Sequence, residues 1–295
     1  MAQQEENMYF ASEEAKKAYR RKHIITQILL YGFLILVAIF ILIPFYWMLN
    51  TSLKTVTELD LPQPTLFPRE IAWSNYAYVF SQIALFGRYF LNTLLVSVCT
   101  TVMVVITTIG AAFAFSRLQF KGRELLFGAL LVTMMIPGEM MIITNYMTIS
   151  VLGWMETYTA LIFPFSVSVF YIFFLRQTFK QIPDELYLAA KVDGMGDFGY
   201  LFKVMIPIGI SSIITIIILA LMGAWNAYIW PQLVANAGPH RLITNGLMAM
   251  FTEEFKSYDN YKLAASAVVT APILVFFIIF RKYIMRGVSR SGIKG

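Results

Sequence analysis

Between Gln181 and Pro207 an otherwise apolar chain turns polar, and Glu185, Ala189, Ala190, Asp193 and Gly194 stand out there. These residue types do not perform covalent chemistry. Leu186, Ala189, Ala190 and Asp193 recur at helical spacing, which predicts a face with two methyl-sized side chains at its centre where a partner's surface can approach closely. Pro183 suits a first helical position, Asp184 and Glu185 suit the positive end of the helix dipole, and Gly194 can end the helix in a left-handed conformation. The expected element is a short helix outside the hydrocarbon, bent again at Gly196 before Phe198, Leu201 and Phe202 lead into a membrane span. A helix merely resting on lipid would carry lysine along its polar edge and large apolar residues opposite; this one is built of alanine beside acids.

A second set of residues is polar within apolar runs: Asn92, Asn145, Tyr146, Tyr171, Trp225 and Asn226. Polar side chains are costly against lipid and face protein or water, so these are candidates for a solute path. Aromatic planes and amides suit sugar rings, which have apolar faces and hydroxyl edges. Hydroxyls such as Thr93, Ser97, Ser166 and Ser168 serve helix packing equally well. Glu139 is the lone acid between Leu125 and Met155 and could couple transport to protons, the signature of a stand-alone secondary transporter with a cytoplasmic gating loop.

Several chemistries are excluded. No Gly-x4-Gly-Lys-Ser/Thr loop occurs, so the chain cannot cradle ATP phosphates that way and its energy must come from elsewhere. The single cysteine, Cys99, allows no disulfide and no cysteine metal site within the chain. His23 and His240 fall at opposite ends of the expected topology and share no metal. No paired acids or nucleophile constellation lie in the spans, so the chain is read as a non-enzyme without a cofactor.

The elements that must position these residues are membrane helices. With 58% hydrophobic and 14% charged residues, the chain has too little charge to cover a soluble globule. Uncharged apolar runs, about 20 residues being needed to cross the hydrocarbon, predict six spans if the runs on either side of Glu139 form one helix broken at Pro137-Gly138. The net charge of +6 is not a nucleic-acid patch. Seventeen of the 23 basic residues fall before Ile24, around Arg117, between Arg176 and Lys203, and after Phe280, which places those segments and both termini in the cytoplasm. The expected organisation is a cytoplasmic segment 1–23, a first span 24–50, an external segment 51–88 held extended by prolines before a short helix from Ser74 through about Phe86, a five-helix core 89–283 carrying the polar segment 181–207, and a cytoplasmic tail 284–295.

Glu185-x3-Ala189-Ala190-x2-Asp193-Gly194, followed after nine residues by Val204-x-Ile206-Pro207, resembles the glutamate-alanine-alanine loop of permease subunits of bacterial ATP-binding-cassette importers. Pro44-Phe-Tyr-Trp-Met, Asn92-Thr93, Met135 to Glu139, Trp225-Asn226 and Gly292-Ile-Lys-Gly295 are similar to its carbohydrate-uptake branch, of the maltose and glycerol-3-phosphate second-permease type. The likeness runs from Ile24 to Gly295. It departs at Leu188, where the family has an acid, and at Ser211, where it has a proline. The resemblance implies an all-α, six-span type I importer permease in the bacterial cytoplasmic membrane, paired with a second permease, two cytoplasmic ATPases that bind ATP and Mg, and an external solute-binding protein. It implies an ATPase-coupling role for Glu185, Ala189, Ala190, Asp193, Gly194 and Pro207, and insertion of the tail, with Gly292, Lys294 and Gly295, between the ATPases.

Overall fold

The computed structural model describes residues 13–289 apart from 82, 238 and 254–258. Among these the regular structure is helical, with no strand. Helix α1 is Glu13–Ser52, α2 Ser74–Ser81, α3 Ile83–Ser116, α4 Arg123–Thr133, α5 Ile142–Val151, α6 Tyr158–Ile162, α7 Val169–Lys180 and α8 Asp184–Val192. Then come α9, Asp197–Trp225, α10 Ile229–Val234, α11 Ile243–Glu253 and α12 Asp259–Ser289.

Four helices are long and apolar enough to cross a membrane, within α1, α3, α9 and α12. Counting each of two bent pairs as one span brings the number to six. Arg123–Thr133 and Gly138–Val151 meet at 84°, and Tyr158–Phe165 and Val169–Lys180 at 41°. The first bend follows from Pro137, which lacks the N–H that would continue the helix and holds ψ at 130°. At near a right angle the joined runs are two helices meeting at a corner, a sharper break than a kinked rod. The second bend follows Pro164, and Ser168 restarts the helix by accepting from the Tyr171 amide.

Helix α1 is already helical at Glu13, and the Lys and Arg of its first described turns are good helix formers. Helix occupies Ser74–Ser81 and again Ile83 onward.

Helix α3 is the central post, packed by α7 and α9, while α12 bridges α9 to α1. Lipid is as apolar as leucine, so packing here comes from close van der Waals fit. Gly209 of α9 shows the consequence: a Cβ there would lie 2.8 Å from Phe179 Cε1, so only glycine lets α7 and α9 approach this closely. Leu175, Phe179, Tyr200, Met205 and Ile216 fill one core near α8. Val96, Leu161, Trp230, Val234 and Leu242 fill a second toward the opposite end.

Pro207 sits inside α9. It has no N–H for the carbonyl of Lys203, and its ring crowds that carbonyl; residues Leu201–Met205 widen into a π turn just before it. The rod from Asp197 therefore continues through a loosened turn instead of breaking.

Candidate functional site

Helix α8 forms where the residue types require it. Pro183 precedes it with φ −57°, Asp184 and Glu185 occupy the first turn and Lys191 the last. Its end is a Schellman motif: Met195 N–H donates to Ala190 O at 2.8 Å and Gly194 N–H to Lys191 O at 3.0 Å, with Gly194 at φ +76°. Any residue with a Cβ would be strained there.

The expected face of Leu186, Ala189, Ala190 and Asp193 is divided by the fold. Ala190 is 8% exposed and belongs to the core containing Tyr200 and Leu201. The cause is the motif that curls Met195 back under Ala190 and turns that residue inward. The exposed face carries Glu185, Leu188, Ala189, Val192 and Asp193. Leu188 is 62% and Val192 88% exposed, so the position at which the family acid is missing lies in the middle of the free surface. Pro207 is exposed on α9, away from this face in sequence but linked to it by the rod.

What holds α8 was hidden in residues that the sequence reading counted only as loop charges. Arg117, 5% exposed, follows the last residue of α3. Its Nη2 donates to Phe179 O at 2.7 Å and also to Ile182 O, while Nη1 pairs with Asp184, the first residue of α8. Arg176 of α7, 4% exposed, reaches the other way. Its Nε donates to Phe115 O at 3.0 Å, its Nη2 holds Glu124 of α4 at 2.8 Å, and its guanidinium stacks 3.8 Å over the Phe127 ring. Each arginine thus caps the carbonyl end of the helix the other belongs to, a use of the planar fork that lysine cannot reproduce. The signal available in sequence was position: both fall at the ends of apolar runs.

A second lock joins α8 to α9. Asp197 Oδ1 accepts from Tyr187 Oη at 2.6 Å and lies 2.7 Å from Lys191 Nζ. The Tyr187 ring meets Tyr200 edge-on, centroids 5.0 Å apart. The hydrogen bond to Asp197 holds the Lys191 ammonium above the ordinary lysine value, and desolvation with the same carboxylate pushes the Tyr187 phenol up.

The six candidate path residues do not converge. Asn92 is 4% exposed and fully used: Nδ2 donates to Pro239 O and Arg241 O at 2.8 and 2.9 Å, and Oδ1 accepts from Tyr158 Oη at 2.7 Å. Both its N–H groups are spent on pinning the loop at 239–241. Tyr171 lines a cavity of about 310 Å³ with Thr100, Ser168, Phe165 and Trp230. Thr100 Oγ1 is buried without a partner in that wall; hydroxyls read as packing groups hid it. Trp225 lies instead in a 210 Å³ apolar cleft with Phe90 and Pro272, its ring edge-on to Phe90. Asn226 is exposed and donates to Met222 O in its own helix, and Asn145 and Tyr146 are exposed on α5. Gly292, Lys294 and Gly295 lie outside the described residues. Among the described residues no three His, Cys, Asp or Glu are grouped to hold a metal.

Residues 105–290 match the family described as binding-protein-dependent transport system inner membrane component. The chain is 30% identical over 267 residues to an arabinooligosaccharides transport system permease protein of Halalkalibacterium halodurans, covering 90% of this chain and 94% of that one. It is 30% identical over 277 residues to an inner membrane ABC transporter permease protein of Escherichia coli, covering 93% and 99%. To an sn-glycerol-3-phosphate transport system permease protein of Brucella suis it is 28% identical over 271 residues, covering 88% and 94%. Its fold matches, with a TM-score of 0.78 at 24% identity over 93% of this chain and 99% of the other, a chain in the crystal structure of a bacterial ABC transporter involved in import of the acidic polysaccharide alginate.

Proposed function

Because the chain belongs to the inner-membrane components of binding-protein-dependent transport systems, we propose that it forms half of a carbohydrate path opened alternately to either side by partner ATPases. The chain is a permease subunit and not an enzyme; hydrolysis of ATP is the work of those partners. Helix α8 is the coupling element, oriented to the cytoplasm with both termini. The observation that carries this reading is the anchorage of α8: an exposed face on one side, and on the other Arg117 and Asp197 tying it to α3, α7 and α9. A push on that face moves three spans together.

The docking face is Glu185, Ala189, Asp193 and Gly194, with Val192 supplying apolar contact and Leu188 doing so where the family pattern has an acid. Ala190 acts from inside by seating the helix, and Pro207 by loosening one turn of the rod that α8 moves. The solute passes by the cavity that Tyr171 lines, with Trp225, Asn226, Asn145 and Tyr146 presented to the second, homologous permease that completes the path. An external solute-binding protein delivers the solute, and the tail around Gly292, Lys294 and Gly295 contacts the ATPases.

The assembled complex in proteoliposomes tests this. Solutes taken from the relatives, arabino-oligosaccharides and glycerol-3-phosphate, are supplied with the binding protein while ATP hydrolysis is measured. Stimulation by a carbohydrate is expected, and Ala189→Trp abolishes it. Uptake by this chain alone that survives ATP depletion and dies with a protonophore overturns the reading.

A further inference from the structure

Beside α8 lies a cavity of about 490 Å³ that shares Arg117, Asp184 and Leu188 with the anchorage and face of α8. Its wall includes three cations, Arg117, Arg123 and Lys180, together with Gln119 and a single carboxylate, Asp184. That carboxylate is already paired with Arg117. Glu124, outside the wall, is shared among Arg123 at 3.1 Å, Arg176 at 2.8 Å and Lys180 at 4.0 Å. Four cations therefore face two carboxylates. A pocket with this excess of positive charge suits an anion with several acceptor oxygens.

The position of the cavity selects the anion. It opens where α3 ends, α4 begins and α7 ends, so it lies at the headgroup level of the bilayer rather than in bulk solvent. Phe120, next to Gln119 of the wall in the chain, is 40% exposed, and Leu125, two residues beyond Arg123, is 79% exposed. A soluble phosphate makes no use of that apolar border, whereas acyl chains do.

We propose that this cavity binds the phosphate of an anionic phospholipid of the cytoplasmic leaflet, held by Arg123 and Lys180 with Arg117 behind them. Basic pockets between the cytoplasmic ends of membrane helices take such headgroups. The inference rests on the orientation proposed above for α8. Through Arg117 the bound phosphate and the first residue of α8 share one guanidinium, so lipid occupancy sets how firmly α8 is seated.

The full chain is purified into phosphatidylcholine nanodiscs with and without phosphatidylglycerol, and retained lipid is read by native mass spectrometry. One phosphatidylglycerol per wild-type chain is expected, and the Arg123→Gln, Lys180→Gln double variant loses it, about fivefold in affinity per cation removed. Lys180→Arg restores it, and an unchanged melting midpoint of the variants excludes misfolding. Equal retention by wild type and double variant overturns the proposal. So does displacement of the lipid by millimolar inorganic phosphate, which makes the ligand a soluble anion. Retention of no phosphatidylglycerol by the wild-type chain also overturns it. No ATPase or solute enters the lipid measurement, so its failure leaves the transport reading untouched.

Discussion

The two ends of the bundle are fastened by different chemistry. At the α8 end the buried anchors are guanidinium groups, Arg117 and Arg176, each reaching across to cap a neighbouring helix. At the opposite end they are mostly neutral amides. Asn75 donates to Ser52 O and Lys54 O at 2.8 Å, and Asn92 holds the loop at 239–241. Asn245 accepts from the Leu242 amide and donates to Ala235 O at 2.9 Å. Glu156 adds a strained staple, with φ +58° and its Oε1 accepting from the Ala237 amide. An amide fixes a loop by matching one donor and one acceptor without adding charge. A guanidinium joins three elements at once through a planar fork, which suits a joint that must move as a body. The difference is one of how many elements a single buried side chain ties together at each end.

Substitutions can break that contrast. The largest effect belongs to Arg117→Met, which leaves Phe179 O and Ile182 O buried and unpaired; a loss of about 3 kcal/mol is expected from two charge-assisted bonds. Arg117→Lys recovers less than half of it, read from thermal denaturation of the purified chain. Full rescue by lysine would show that charge, not the fork, matters. Asn92→Ala, at the other end, costs about 2 kcal/mol for two stranded carbonyls. It should leave ATPase coupling intact while loosening the 239–241 loop, measured by hydrogen exchange; lost coupling would erase the distinction between the ends. Gly194→Ala costs about 1 kcal/mol through strain at positive φ, and its larger consequence is misdirection of α8, seen as lost solute-stimulated hydrolysis at a nearly unchanged melting midpoint.

The smallest effect is a pH dependence. Because Asp197 raises the pKa of Lys191, the ion pair's contribution is fully present below the unfolded lysine value of about 10.4 and fades as pH rises through the higher folded value. The difference in melting midpoint between wild type and Lys191→Met should therefore be flat from neutral pH to about 10 and shrink above it. A difference that grows with pH contradicts the assigned pair.

Much of this organisation could be read from residue order. The apolar runs, the break at Pro137, the short polar helix bounded by Pro183 and Gly194, and the glutamate-alanine-alanine spacing all follow from local physics: hydrocarbon thickness, a missing N–H, the dipole and a left-handed terminus. Local periodicity failed at Ala189 and Ala190. Adjacent positions on one helix differ by a third of a turn or less, and only the return of Met195 decided which of them the core would claim.

The sequence by itself determined that this chain spans a membrane, where its polar interruption lies, and which family pattern that interruption carries. Those are properties of composition and of neighbours along the chain. Only the tertiary structure decided that Arg117 and Arg176 exchange caps, that Asn92 clamps the 239–241 loop, and that Tyr171 and Trp225 face separate cavities. Such partners lie scores of residues apart, Arg117 from Asp184 and Asn92 from Arg241, and no local periodicity encodes a contact whose two halves are brought together only when the helices pack.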